Sequence, residues 1–99
     1  MNPARKMSEY VTIEIEPAGD PNVRRLITNQ ALTEEDEEVY FSPEEGDEGS
    51  PIAQMLFNGV EGIVALRISG DTLTITRDPD VPWEDILDEV RDALRDFFL

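Results

Sequence analysis

Two hydrophobic periods follow each other in residues 63–97, and this change of period constrains the fold more than any other feature. Residues Ile63 to Ile68 and Thr72 to Thr76 show the period of two that is typical of half-buried strands, and in the first of them Val64, Leu66 and Ile68 are predicted to share the inner face. Ser69-Gly70-Asp71 separates them as a tight turn, so the sequence predicts a hairpin. The period then becomes helical, with apolar positions at Trp83, Ile86, Leu87, Val90, Leu94 and Phe97. A helix with one apolar stripe buries that stripe by packing on one face of a sheet.

The first half of the chain supplies the other elements. Tyr10 to Glu16 alternates as a strand, Pro17 to Asn22 has turn composition, and Val23 to Thr28 is predicted as a second strand. Ser50-Pro51 is a helix start, because a hydroxyl N-cap precedes proline at the first helical position, and this helix is predicted over 51–57. The order β-β-α-β-β-α, with a short extra strand near 39–41, indicates an α+β two-layer sandwich: a small, mainly antiparallel sheet with two helices on one face.

The length is that of one domain. Residues 1–8 are expected to be a flexible tail, and residues 9–99 a single domain. Within it, the stretch 33–49 has nine acids and no base, and is predicted as an acidic loop pinned by Tyr40 and Phe41. In the last helix Trp83 is expected to anchor the core and Phe97 to continue its apolar stripe, while Phe98 is expected to be exposed.

The composition argues against most chemistry. The chain has no cysteine and no histidine, and 23 acidic side chains face 8 basic ones. It therefore lacks the two commonest soft metal ligands, the proton shuttle used near neutral pH and the thiol nucleophile. No P-loop, G-x-S-x-G or G-x-G-x-x-G motif is present. We predict a binding protein without enzymatic activity or cofactor.

Charge and hydropathy also restrict the partners and the location. The net charge of −15 repels phosphate backbones, so nucleic acid is not an expected partner. No apolar run approaches the ~20 residues of a membrane span, and the basic start has no apolar stretch behind it. A cytoplasmic monomer that binds another protein is expected.

Two charged features have competing interpretations. The acids of 34–38 and 44–48 suggest cation binding, but they lack the spacing of a calcium loop, and a solvated loop is the simpler explanation. Arg24-Arg25 is either paired with Glu14 or Glu16 on a strand face, or contacts an anion or a protein partner.

Several short motifs, taken in order, resemble the N-terminal domain of the Nfu/NifU-like scaffold proteins. The segment from Asp20 to Leu26 is similar to that family's P-N-P-N-T-L-K-F. Phe41-Ser42-Pro43-Glu44-Glu45 and Gly49-Ser50-Pro51-Ile52-Ala53 resemble F-x-S-P-E-E and G-S-P-L-A. The hairpin from Gly62 to Arg77 follows G-V-x-x-V-F-F-G-x-D-F-I-T-V-T-K, and Trp83 matches the tryptophan that opens the last helix. The resemblance covers about residues 9–97.

The resemblance implies a role in iron–sulfur cluster assembly. In that family a second domain carries a C-x-x-C pair that holds the cluster, whereas this sequence contains no cysteine. It therefore implies an accessory or adaptor whose partner is a cysteine-bearing iron–sulfur scaffold or client. The expected contact surface is Asp20, Asn22, Arg24 and Arg25, since polar family motifs at a turn have no packing reason to recur. The alternative is an acidic module that binds a small ligand or a cation.

Overall fold

An antiparallel sheet of five strands, covered by helices on one face, makes up the fold, and the computed structural model describes residues 11–98. In chain order the elements are β1 Ile13–Pro17, β2 Val23–Thr28, β3 Glu38–Tyr40, α1 Pro43–Asp47, α2 Pro51–Gly59, β4 Ile63–Ser69, β5 Thr72–Arg77 and α3 Trp83–Phe98. The strands lie in the order β1-β2-β5-β4-β3. The α+β sandwich, the hairpin and the last helix are confirmed. The predicted tail and Tyr10 lie outside the described residues.

The core is a single layer between the helices and one face of the sheet. Leu26 of β2 lies opposite Leu73 of β5, and both are fully buried. Leu56 of α2 and Ile86 of α3 cover this face and are also fully buried. Burying a side chain of this size contributes about 1.5–3 kcal/mol, so this layer is the main source of stability.

Strand β4 contains a bulge that changes which residues face the core. The β4–β5 register shifts between Ile63 and Ala65. Ile63 is therefore buried, at 4% exposure, whereas Val64 is 37% exposed. The prediction that Val64 shares the inner face with Leu66 and Ile68 is wrong, because one extra residue in a strand reverses the alternation of its side chains.

The stretch 33–49 is more ordered than the predicted acidic loop. It contains the predicted short strand, as β3, and also helix α1, which the sequence analysis missed. Ser42 caps α1, since its Oγ accepts a hydrogen bond from the Glu45 N–H at 3.2 Å. The ring of Tyr40 packs edge-on against Phe57, with centroids 6.3 Å apart, so Tyr40 fixes this stretch as expected. Phe41 does not, because it is 76% exposed.

Helix α3 buries its apolar stripe except in its last turn. Trp83, Ile86, Val90 and Leu94 are buried, and Leu87 is half-buried at the edge of the stripe. Phe97 lies 41% exposed, whereas Phe98 packs partly buried against the core, which reverses the prediction for the two rings. None of the described helices combines the length and hydropathy needed to cross a lipid bilayer.

Candidate functional site

Trp83 joins the start of α3 to the turn before β2. Its indole Nε1–H donates a hydrogen bond to the Pro21 carbonyl oxygen at 2.8 Å. The side chain is 8% exposed, which confirms its predicted place in the core. The guanidinium carbons of Arg24 and Arg77 lie 5.2 and 5.3 Å from the ring centroid, within cation–π range. One aromatic ring thus orders two arginines at this end of the sheet.

Asp20 and Asn22 build the turn itself. The Asn22 N–H donates to Asp20 Oδ1 at 2.8 Å, an Asx turn. Arg77 then donates twice to Asn22, from its backbone N–H to the carbonyl oxygen at 2.9 Å and from Nε to Oδ1 at 3.2 Å. The turn is therefore fixed to β5 as well as to α3, and it has little freedom to change shape.

Arg24 and Arg25 point to opposite faces of the sheet. Arg24 shares the helix-covered face with Leu26, and no carboxylate of residues 11–98 forms an ion pair with it. Arg25 lies on the open face and forms an ion pair with Glu16 at 3.3 Å, both side chains about half exposed. The simpler interpretation, pairing with Glu16, thus holds for Arg25 but not for Arg24.

The structure brings three of the four predicted contact residues together. Asp20, Asn22 and Arg24 lie around Trp83 at one end of the sheet. Arg25 starts from the same end of β2 but projects from the other face. Sequence reasoning missed Arg77, although it directly follows the predicted strand Thr72 to Thr76 and keeps the alternation of Leu73 and Ile75.

A second polar cluster lies where β3 meets the start of α2. Tyr40 Oη donates to Glu38 Oε1 and accepts a hydrogen bond from the Ser50 N–H at 3.2 Å. Burial opposes ionisation of Glu38, but hydrogen bonds from Ser50, Thr33 and Tyr40 outweigh it and lower the pKa of Glu38. Burial and the neighbouring Glu38 carboxylate raise the pKa of Tyr40. Glu38 is thus held as a carboxylate.

Beside this cluster is a groove of about 420 Å³ between the segment 31–35, the start of α2 and the last turn of α3. Its floor is apolar, formed by Leu32, Ile52, Phe97 and Phe98. Glu34, Glu35 and Glu38 line one side, and no arginine or lysine is among its described lining residues. We call it the acidic groove. These acids and Phe98 are about sixty residues apart in the sequence, so no local pattern predicts that they line one groove.

The other acids of 33–49 have local roles. Glu45 Oε1 accepts a hydrogen bond from the Phe41 N–H at 2.9 Å, and Glu37 forms an ion pair with Arg67. Within residues 11–98, no group of three or more acidic, cysteine or histidine side chains is arranged to hold a metal ion. These acids therefore accept a backbone hydrogen bond, form an ion pair or are exposed to solvent.

Comparison with known proteins identifies the family. The model of the family described as "Scaffold protein Nfu/NifU N terminal" matches residues 13–99. The fold is similar to that of a NifU-like protein from Saccharomyces cerevisiae, with 24% identity, a TM-score of 0.72 and coverage of 89% of this chain and 78% of that one. It is also similar to protein SAV1430 from Staphylococcus aureus, with 18% identity, a TM-score of 0.68 and coverage of 84% and 98%.

These two likenesses support the fold, and the family match covers most of the chain. Among curated proteins, none matches it. The resemblance seen in the motifs is confirmed by the family match over 13–99. The chain therefore belongs to the Nfu/NifU N-terminal family, which links it to the scaffolds of iron–sulfur cluster assembly.

Proposed function

We propose that this protein acts in iron–sulfur cluster assembly as a non-catalytic accessory domain that binds another protein of the pathway. Family membership supports the pathway. The sequence has no cysteine, and thiolates are the usual ligands of these clusters, so a cysteine-bearing scaffold or client is the partner that would carry the cluster. A cytoplasmic location and a monomeric state remain predictions from the sequence.

The contact surface that we propose is the end of the sheet with Asp20, Asn22, Arg24 and Arg25. The observation that carries it is Arg24, which stacks on Trp83 and has no carboxylate partner among the described residues of a strongly acidic chain. A guanidinium ordered in this way can donate hydrogen bonds to a carboxylate of a partner with little further loss of side-chain entropy. Arg25 lies at the same end, within reach of a partner that wraps around it.

A pull-down from the native host tests this proposal. Tagged protein should recover a cluster scaffold or a cysteine-bearing client, identified by mass spectrometry. Arg24→Gln should lower the recovery about tenfold, the effect of losing ~1.4 kcal/mol. Arg91→Gln is the matched control, because Arg91 is exposed on the outer face of α3 and its replacement changes the charge equally.

Two results would count against the proposal. One is recovery of no protein of cluster assembly by the unchanged chain. The other is an equal loss of recovery in both variants, which would indicate a dependence on net charge alone. Saturable NMR shifts confined to residues 34–48 on titration with calcium or ferrous iron would instead favour the alternative of a cation-binding module.

A further inference from the structure

The acidic groove lies far from the surface just proposed. That surface adjoins Trp83 at the first residue of α3, whereas the groove includes Phe97 and Phe98 in the last turn of the same helix. At 1.5 Å per residue, the fourteen residue steps from Trp83 to Phe97 correspond to about 21 Å along the helix axis. A ligand of the groove therefore does not compete with a partner at Arg24, and the two sites can be tested separately.

Folding alone does not explain the floor of the groove. Phe97 continues the apolar stripe of α3, yet it stays 41% exposed, and its ring packs edge-on against Phe98 with centroids 5.2 Å apart. Leu32 and Ile52, at 6% and 3% exposure, complete this floor. The exposed ring is therefore part of an apolar patch bordered by the acids of the groove, and such patches mark surfaces that a second molecule covers.

The charge of the groove restricts the chemistry of that molecule. Glu34 and Glu35 are exposed on its side, and Glu38 lies deeper, bonded to Tyr40. No base among its described lining residues balances them. The last turn of α3 adds its free carbonyl groups, the negative end of the helix dipole. A neutral apolar ligand would leave these carboxylates partly desolvated and unpaired, which is unfavourable.

We propose that the acidic groove binds a short segment of a protein partner that carries both an apolar side chain and a lysine or arginine. The apolar side chain packs on Phe97 and Ile52, and the cationic group lies between Glu35 and Glu38. The volume of about 420 Å³ is within the range of about 300–1,000 Å³ in which binding pockets fall. Charge complementarity orients the segment, and the apolar contact supplies most of the affinity.

Three synthetic peptides of about twelve residues test the proposal on the isotope-labelled chain of 99 residues. The first has leucines at helical spacing and lysines elsewhere, the second has glutamine for lysine, and the third has serine for leucine. The first should shift the NMR signals of Leu32, Ile52 and Phe97 in a saturable manner. The other two should bind about tenfold more weakly.

Matched variants locate the binding. Phe97→Ala and the double variant Glu34→Gln, Glu35→Gln should each weaken binding of the first peptide about tenfold. The controls are Phe41→Ala, an exposed aromatic outside the groove, and Glu44→Gln, Glu48→Gln, which removes the same charge from the α1 region. Both controls should bind as the unchanged chain does.

Several results would overturn the proposal. If the third peptide or spermine bound as tightly as the first peptide and shifted the same signals, the binding would depend on charge alone. Equal binding by the groove variants and their controls would place the peptide elsewhere. Shifts of the same signals with protein concentration alone would assign the groove to a second copy. If the first peptide bound the double variant Arg5→Gln, Lys6→Gln but not the unchanged chain, the occupant of the groove would be the chain's own first residues.

Discussion

At the scale of single residues, Trp83 has the most connections in the candidate site. Its ring belongs to the core, its Nε1–H holds the Pro21 carbonyl, and its faces order Arg24 and Arg77. The helical period alone predicted the first of these roles. The other two depend on a turn that lies 62 residues away in the sequence, which no local pattern can indicate.

Replacing Trp83 by phenylalanine tests the link between helix and turn. Trp83→Phe keeps an aromatic ring in the core but removes the hydrogen bond to Pro21 and weakens both cation–π contacts. We expect a loss of about 1–3 kcal/mol in the free energy of unfolding, measured with urea, with NMR shifts at Asn22. Phe41→Leu, at an exposed position, should change stability by less than about 0.5 kcal/mol. Equal effects of the two changes would contradict the assignment.

The stripe of α3 can be tested by comparing two neighbours. Ile86 is fully buried and Leu87 is half-buried. Ile86→Ala should therefore lower the free energy of unfolding by about 2–5 kcal/mol, and Leu87→Ala by clearly less, since fewer of its contacts are lost. Chemical denaturation of both variants measures the difference. A larger loss for Leu87→Ala would mean that the helix is rotated relative to the description given above.

Glu38 makes stability depend on pH in a predictable direction. Its pKa in the folded chain is lowered from the ordinary value of 4.5, so its contribution is complete above that value and is lost as the pH falls below it. Glu38→Gln should remove this part of the acid response, measured as the difference in unfolding free energy from the unchanged chain between about pH 3 and 7. Glu44→Gln, outside the cluster, is the control. A pH-independent difference for Glu38→Gln would contradict the role of the cluster.

At the scale of elements, α1 shows how far sequence patterns reach. Ser42-Pro43 carries the same N-cap and proline signal as Ser50-Pro51, which was used correctly to place α2. At Ser42 this signal does not by itself predict a helix, because residues 43–47 have no apolar stripe to accompany it. This helix packs through Gly46, where the backbone itself approaches the ring of Phe57. The bulge in β4 could not be predicted either, because the alternation of apolar residues does not show where a strand contains an inserted residue.

Gly46 is therefore the residue on which the packing of α1 depends. A Cβ added at this position would overlap the ring of Phe57. We expect Gly46→Ala to cost about 1–3 kcal/mol in unfolding free energy despite the better helix propensity of alanine, and Phe57→Leu to restore part of the loss. Thermal unfolding measures both. At Gly59 an added Cβ meets no atom within 4 Å, so Gly59→Ala should be neutral or stabilising.

At the scale of the whole molecule, charge separates this chain from a neutral domain of the same fold. The net charge is −15, and ion pairs within residues 11–98 are limited to three with exposed partners. Exposed like charges repel, and added salt screens them over a Debye length of about 3 Å at 1 M. The melting temperature should therefore rise between low salt and about 1 M sodium chloride. A flat or falling curve by calorimetry would show that the acids are already compensated.

The strand order also has a consequence for synthesis of the chain on the ribosome. The hairpin β1–β2 is complete at Thr28, but β2 gains its other neighbour, β5, only after Thr72 has been made. At about 5–20 residues per second, translation of the intervening residues takes roughly two to nine seconds. Throughout that interval β2 is paired only with β1, so its other edge has no partner strand and Leu26 lacks Leu73 beside it. The nascent chain is therefore most open to aggregation, and most in need of a chaperone, between these two points.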